Sequence, residues 1–142
     1  IAEALLRNAT KNSSKQSIRT ISVKAMGIRR KSNDMNNRAI SWLQQNNIRV
    51  YDVYRVTILT LSLAHDYDLI LCMNNYCLQK VKLNILYERM DKFEDKIHLF
   101  TESVGLSGDI NDPGDNYDKF YNEVEKIPPV IQKIMKELEK VN

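Results

Sequence analysis

The chain has 142 residues, of which 43% are hydrophobic and 27% are charged, and its formal net charge is +3. These values are typical of an ordinary globular domain, so we predict that residues 1–142 form a single domain. No apolar run approaches the roughly 18 residues that a membrane-spanning helix needs, so no membrane partner is expected. The two cysteines, Cys72 and Cys77, match neither a zinc pattern nor a disulfide framework, which favours a reduced, cytoplasmic protein.

The N-terminal half of the chain predicts helices and strands in alternation. Ile1–Arg7 has the composition of a helix already under way, and because no initiating Met or cap precedes it, we expect a further segment before Ile1. The β-branched residues of Ser17–Ala25 favour a strand. The sequence then predicts a basic loop over Gly27–Asn37, a short amphipathic helix over Ala39–Gln45 and an extended stretch over Ile48–Val53.

The C-terminal half continues this alternation. Asp68–Met73 is a continuous apolar run between polar ends, which is typical of a strand buried on both faces of a parallel sheet. Thr57–Leu63 is apolar and ambiguous between strand and helix. The remaining predictions are a helix over Tyr76–Tyr87 with Asn74-Asn75 as its cap, a strand over Lys96–Phe100 and helical structure over Tyr117–Asn142, interrupted at Pro128-Pro129. Alternating strands and helices predict an open α/β sheet, in which ligands bind beyond the carboxyl ends of the strands.

The loop from Gly108 to Gly114 follows the last predicted strand and contains Asp112-Pro113. Proline fixes its own φ and biases Asp112 towards an extended backbone, which suits a general acid held on a loop beside a ligand. A plain turn and helix cap is the alternative interpretation, and an isolated Asp-Pro pair is compatible with it.

Other candidate sites are weaker. Cys72 with His65 could form a thiol and base pair, but a buried strand cysteine and a surface histidine explain both residues. The aspartates of the second half lack the spacing of a calcium loop, so no metal is expected, and no Gly-rich nucleotide loop is present. Arg29-Arg30-Lys31 lacks interleaved aromatic residues and any binding motif, so nucleic acid is not expected as a partner.

Three segments resemble the low-molecular-weight protein tyrosine phosphatases. Ile1-Ala2-Glu3-Ala4 is similar to the helix that follows the phosphate-binding loop of the family, Cys-x5-Arg-Ser-Pro. Tyr67–Met73 is similar to its "D-x-I-L-x-M" strand, and Asp112-Pro113 with the acidic, aromatic helix after it is similar to its Asp-Pro loop. Lys96–Tyr121 looks most like the bacterial branch that includes protein arginine phosphatases. Each motif is weak by itself, but their order and spacing together are fairly specific.

The resemblance implies a doubly wound parallel α/β sheet and a metal-free, cofactor-free phosphomonoester hydrolase. In the family, a cysteine thiolate attacks phosphorus, a loop arginine clamps the phosphoryl group, and an aspartic acid protonates the leaving oxygen and then activates water. Asp112 takes the last role by resemblance. Thr20 or Ser22 would be the residue that supports the phosphate-binding loop, and the substrate would be a protein carrying phosphotyrosine or phosphoarginine.

The chain also departs from the family pattern. The nucleophilic cysteine, the loop arginine and the first strand would all lie before Ile1, and Cys72 matches a buried strand position instead. Gly114-Asp115 stands where the family often has two aromatic residues. Since the missing strand is internal to the sheet, we expect the chain alone to be poorly stable or to be a piece of a longer protein, and to lack phosphatase activity. The alternative is a catalytically inactive relative that serves as a binding or regulatory module.

Overall fold

The computed structural model describes residues 1–28, 36–50, 57–85, 87 and 90–141. Most of the predicted loop over 27–37, with Arg29-Arg30-Lys31, lies outside the described residues, as does the second half of the extended stretch predicted over 48–53. The helices are α1 (Ala2–Lys11), α2 (Gln16–Arg19), α3 (Asn37–Gln45), α4 (Leu61–His65), α5 (Asn75–Lys80, continued by a π-helical turn over Val81–Ile85), α6 (Met90–Phe93), α7 (Tyr117–Val124) and α8 (Ile127–Lys140). The strands are β1 (Ile70–Cys72) and β2 (Ile97–Leu99), and short 3-10 turns cover Glu94–Lys96 and Glu102–Val104.

The two strands pair in parallel, with Ile70 opposite Ile97 and Cys72 opposite Leu99. Each lies within the run that predicted it, Asp68–Met73 or Lys96–Phe100. A single parallel bridge joins Gly27 to Ile58. The architecture is therefore α/β with a parallel sheet, as predicted.

Both faces of the sheet are covered by apolar side chains. Leu71 and Met73 pack against one core cluster, whereas Ile70 and Cys72 belong to the other. Successive side chains of a strand point to opposite faces, so the continuous apolar run of β1 is explained by burial on both sides. The first cluster contains buried side chains of α3, α7, α8 and the loops beside β2, namely Ala39, Phe100, Ile110, Phe120, Val124, Ile127, Val130 and Ile131, and the apolar face of α1 packs on it. The second contains Ala64, Cys72, Leu78, Val81, Phe93, Ile97 and Leu99.

Local signals explain the helix ends that were predicted. Asn36 accepts a hydrogen bond from the Arg38 N–H at 2.8 Å and so begins α3 as an N-cap. The last residue of α3 is Gln45, Asn46 is its C-cap, and Asn47 adopts φ 57°, a left-handed conformation that does not continue the helix. Pro128 and Pro129 interrupt the C-terminal helical region as predicted. They lie in the first turn of α8, where the backbone N–H that proline lacks would have no hydrogen-bond partner within the helix.

The predicted strand over Ser17–Ala25 is wrong, because Gln16–Arg19 form the one-turn helix α2 and residues 21–25 have no regular secondary structure. Ile18 is buried in this turn with only 2% exposure, and the Arg19 guanidinium donates to the carbonyl oxygens of Ser13 and Ser14 at 2.8 and 3.0 Å. Strand propensity depends on packing context, and these contacts outweigh it.

Candidate active site

A cavity of about 530 Å³ runs along β1 and is called here the β1 groove. Its lining includes Leu69–Asn74 together with Met26, Gly27 and Ile28. Asn111 and Asp112 line the groove together with Asn74, which follows the carboxyl end of β1. The loop after the last strand therefore reaches the edge of the sheet at which ligands bind in open α/β folds.

Backbone contacts fix the loop against the end of β1. The Ile110 N–H donates to the Met73 carbonyl at 2.9 Å, and the buried Asn74 amide donates to the Ile110 carbonyl at 3.4 Å. Asn74 also caps α5 by accepting from the Cys77 N–H at 2.8 Å, as its sequence position suggested. One asparagine thus connects the strand end, the helix start and the loop.

The Asp109 carboxylate has a structural role. Its Oδ1 accepts from both the backbone N–H and the side-chain amide of Asn75, at 3.0 and 3.1 Å. Its carbonyl oxygen accepts from Lys126 Nζ at 3.3 Å, and the preceding Gly108 carbonyl accepts from Thr101 Oγ1 at 2.6 Å. The loop is therefore attached at Gly108, Asp109 and Ile110 in succession.

Glu123 on α7 provides the last attachment before Asp112. Its Oε2 accepts from the Asn111 N–H at 2.8 Å, and its Oε1 pairs with Lys126 Nζ at 2.8 Å. Burial acts to raise the pKa of Glu123, but the hydrogen bonds from Lys126 and Asn111 and the lysine charge outweigh it and lower that pKa. The carboxylate is thus ionised at neutral pH and holds the backbone next to Asp112.

Asp112 lies directly beyond these attachments, with an exposed side chain that lines the β1 groove. Its Oδ1 accepts from the Gly114 N–H at 2.9 Å, which forms a local turn. Gly114 adopts φ +57°, a left-handed conformation that favours glycine. Further along, Arg38 of α3 donates to the Asp115 carbonyl at 2.9 Å and lies over the Tyr117 ring, 5.2 Å from its centroid. Asp112 thus combines a fixed backbone with an accessible carboxyl group, as a general acid on a loop requires.

Thr20 and Ser22 lie elsewhere. They line a second cavity, about 580 Å³ in volume, together with Leu63 and Asp66–Leu69, which precede β1. The Thr20 hydroxyl donates to the Ser17 carbonyl at 2.9 Å, a contact within its own turn. The structure therefore does not bring these two residues to Asp112, and their role in supporting a phosphate-binding loop stays a prediction.

The environment of both cysteines disfavours the thiolate. Cys72 is buried in β1, and burial raises its pKa to about 11, with smaller effects from Cys77 and Lys82. Burial also raises the pKa of Cys77, and the nearby Asp109 and Asp112 carboxylates raise it further. A thiolate nucleophile needs a lowered pKa, so neither cysteine has the surroundings of one.

The described residues contain neither a metal-binding cluster nor a membrane-spanning helix. No group of three or more His, Cys, Asp and Glu side chains among them has the arrangement of a metal site. No helix in that part of the chain combines the length and apolar character that crossing a bilayer requires.

Comparison with known proteins adds a fold assignment. No protein-family model matches the chain. No curated protein matches it significantly. Solved structures do match. A low-molecular-weight protein tyrosine phosphatase from T. tengcongensis is 22% identical, with 96% of this chain and 88% of that chain covered and a TM-score of 0.79.

Two further structures agree with this assignment. The YwlE arginine phosphatase from Geobacillus stearothermophilus is 20% identical, with 98% of this chain and 83% of that one covered and a TM-score of 0.76. The tyrosine phosphatase Wzb from Escherichia coli K30, solved in complex with sulphate, is 20% identical, with 96% and 87% covered and a TM-score of 0.76. The chain therefore has the fold of the low-molecular-weight protein tyrosine phosphatases, as the resemblance implied.

Sequence reasoning missed the groups that position the loop. Asn74-Asn75 was expected only to cap a helix, and Asp109 and Glu123 received no role. The one signal available was the density of Asn and Asp on both sides of the loop. It does not reveal that Asn75 and Asp109, which are 34 positions apart, share two hydrogen bonds.

Proposed function

We propose that this chain carries the general acid and base of a phosphomonoester hydrolase of the low-molecular-weight protein tyrosine phosphatase type. One observation carries the proposal: in this fold, Asp112 lies at the carboxyl end of β1 with its carboxyl group in the groove and its backbone fixed. In such a reaction, the acid protonates the leaving oxygen as a cysteinyl phosphate forms, and its carboxylate then takes a proton from the attacking water.

The nucleophile in this proposal is neither Cys72 nor Cys77, because burial raises both pKa values. The thiolate and the phosphate-clamping arginine would belong to a Cys-x5-Arg-Ser-Pro segment outside these 142 residues. The chain as given is therefore expected to be inactive by itself. The same proposal treats residues 1–142 as one domain of a cytoplasmic protein.

The proposed substrate is a protein carrying phosphotyrosine or phosphoarginine. Structurally similar proteins include a tyrosine phosphatase and an arginine phosphatase, so the fold is compatible with either. Hydrolysis of phosphotyrosine breaks a P–O bond and that of phosphoarginine breaks a P–N bond. The step assigned to Asp112 is protonation of the leaving oxygen in the first case and of the leaving nitrogen in the second.

The test compares the chain with a fusion that places an apolar strand and a Cys-x5-Arg-Ser-Pro loop directly before Ile1. We expect no hydrolysis of p-nitrophenyl phosphate by the chain and measurable turnover by the fusion. In the fusion, Asp112→Ala should lower kcat by about a hundredfold, the lower range for a general acid. Asp115→Asn, in the same loop but outside the groove lining, is the matched control and should leave kcat within about twofold.

Two results would contradict the proposal. One is turnover by the chain alone that is lost on Asp112→Ala, because the chain would then contain its own nucleophile. The other is an active fusion that Asp112→Ala leaves unchanged, because Asp112 would then not be the acid.

The second candidate is a catalytically inactive relative that serves as a binding or regulatory module, and Gly114-Asp115, where the family often has two aromatic residues, favours it. A correctly folded fusion that binds a phosphotyrosine peptide without hydrolysing it would support this function over the first.

A further inference from the structure

The loop that carries Asp112 has an attachment on its far side as well, and this one comes from α3. Arg38 Nη1 donates to the Asp115 carbonyl at 2.9 Å, and the two residues are 77 positions apart in the chain. The same guanidinium lies over the Tyr117 ring, 5.2 Å from its centroid. A cation over an aromatic face is attracted by the electrons of the ring, so the two contacts hold the guanidinium in one place. Arg38 therefore connects α3 with the backbone that leads from the loop into α7.

Both ends of this connection are themselves fixed. The Arg38 N–H donates to the side chain of the N-cap residue Asn36 at 2.8 Å, and the next residue, Ala39, is buried in the first core cluster. At the other end, Asn116 begins α7 as its N-cap, and Phe120 of that helix is buried in the same cluster. The guanidinium thus bridges the first turns of two helices that pack on one core.

Asp112 lies between two fixed points of the backbone. The Asn111 N–H donates to Glu123 at 2.8 Å, and the Asp115 carbonyl accepts from Arg38 at 2.9 Å. Asp112 and the two residues after it are all that separates these points, and the first of those two is a proline, whose φ is fixed. A carboxyl group on so short a span has little freedom to move while both attachments hold.

We propose that Arg38 is a positioning residue for the general acid, an assignment that rests on the function proposed above for Asp112. Proton transfer to a leaving group requires the acid within hydrogen-bond reach, and a displacement of about 1 Å can lower the rate by about a hundredfold. Arg38 opposes such a displacement by holding the backbone on the far side of Asp112. It acts through the loop and not on the substrate.

The effect on the loop is measured by NMR relaxation of the chain itself. The N–H order parameters of Asp112 and Gly114 should be about 0.85 in the unaltered chain and should fall towards about 0.6 in Arg38→Met. Methionine keeps an unbranched side chain and a high helix propensity but cannot donate to the Asp115 carbonyl. Arg19→Met is the matched control and should leave these order parameters unchanged, because Arg19 also donates to backbone carbonyls, at 2.8 and 3.0 Å, but in another part of the chain.

The effect on the reaction is measured in the fusion with a phosphate-binding loop, as kcat/KM for two substrates. Phenyl phosphate releases a weakly acidic phenol that needs a proton, whereas 2,4-dinitrophenyl phosphate releases a far more acidic phenol that can leave as the anion. Arg38→Met should lower kcat/KM by about tenfold for phenyl phosphate and by no more than about twofold for the dinitrophenyl ester. Arg38→Lys keeps a donor and a positive charge and should restore most of the loss.

Asp112→Ala separates a failure of this inference from a failure of the proposed function. If Asp112→Ala affects both esters equally or not at all, Asp112 is not the acid, and the proposed function fails together with this inference. If Asp112→Ala discriminates between the esters but Arg38→Met does not, the assignment of Arg38 alone is overturned. Order parameters of Asp112 and Gly114 that Arg38→Met leaves unchanged would also overturn it, because the loop would then not depend on Arg38.

Discussion

Two cavities of similar size adjoin β1, one of about 530 Å³ along the strand and one of about 580 Å³ beside the residues that precede it, and both carry the polar side chains expected of a site. Their construction differs. At the carboxyl end, Asn74, Asn75 and Glu123 attach the loop before Asp112 by hydrogen bonds that join distant parts of the chain. At the amino end, the Thr20 hydroxyl bonds only within its own turn. The comparison shows that long-range hydrogen bonds fix the loop before Asp112, whereas the Thr20 hydroxyl has a local partner.

The largest expected effect concerns the buried anchor of the carboxyl-end loop. Ile110 is 5% exposed, so Ile110→Ala removes buried apolar surface and leaves a cavity, which should lower the free energy of unfolding by about 3 kcal/mol. Ile21 lines the amino-end cavity and is 38% exposed, so Ile21→Ala should cost less than about 1 kcal/mol. Urea denaturation of both variants measures the loss of unfolding free energy. Equal losses would contradict the prediction that Ile110 contributes more to stability than Ile21.

The second prediction distinguishes the stability contributions of the Asp109 and Asp112 carboxylates, which lie in one loop. Asp109→Ala removes the acceptor of both Asn75 hydrogen bonds and should cost about 1–2 kcal/mol of unfolding free energy. Asp112→Ala removes an exposed side chain that accepts a hydrogen bond within a local turn, so it should cost less than about 1 kcal/mol. Thermal unfolding monitored by circular dichroism tests the order, and a larger loss from Asp112→Ala would reverse the assigned roles.

A third prediction concerns pH. The pKa of Glu123 is lower in the folded chain than its ordinary value of 4.5, so its stabilising contribution is present above that pH and is lost as pH falls through the folded-state pKa. Glu123→Gln should therefore cost about 1 kcal/mol at pH 7 and much less at pH 3. Glu137→Gln is the control, since its ion pair with Lys140 is 61–70% exposed and should matter little at either pH. If Glu123→Gln lowered the free energy of unfolding equally at both pH values, the charge of Glu123 would not be responsible for holding the Asn111 backbone.

The smallest effect is expected at the amino end. In the fusion with a phosphate-binding loop, Thr20→Val combined with Ser22→Ala should change kcat/KM by no more than about twofold, equivalent to about 0.5 kcal/mol. The reason is that both residues lie with Asp66–Leu69 before β1, away from Asp112. A loss of about tenfold or more would instead support the sequence-based prediction that they assist the phosphate-binding loop.

Elements with a strong local pattern were predictable. The continuous apolar run identified β1, and Pro128-Pro129 marked the break between α7 and α8. The order of three weak motifs indicated the fold that structural comparison shows. The strand predicted over Ser17–Ala25 is wrong, because Gln16–Arg19 form α2. The burial of Ile18 and the hydrogen bonds of Arg19 involve residues outside the segment from which the strand was predicted.

By itself, the sequence determined where apolar runs, prolines and asparagines begin and end the helices and strands. It also identified Asp112 as the candidate general acid. Only the tertiary structure decided which end of β1 each polar residue occupies, that Asp109 and Glu123 are structural, and that both cysteines are poor nucleophiles. The physical reason is that secondary structure follows from periodicity over a few residues. Hydrogen bonding and desolvation depend instead on groups brought together from distant positions in the chain.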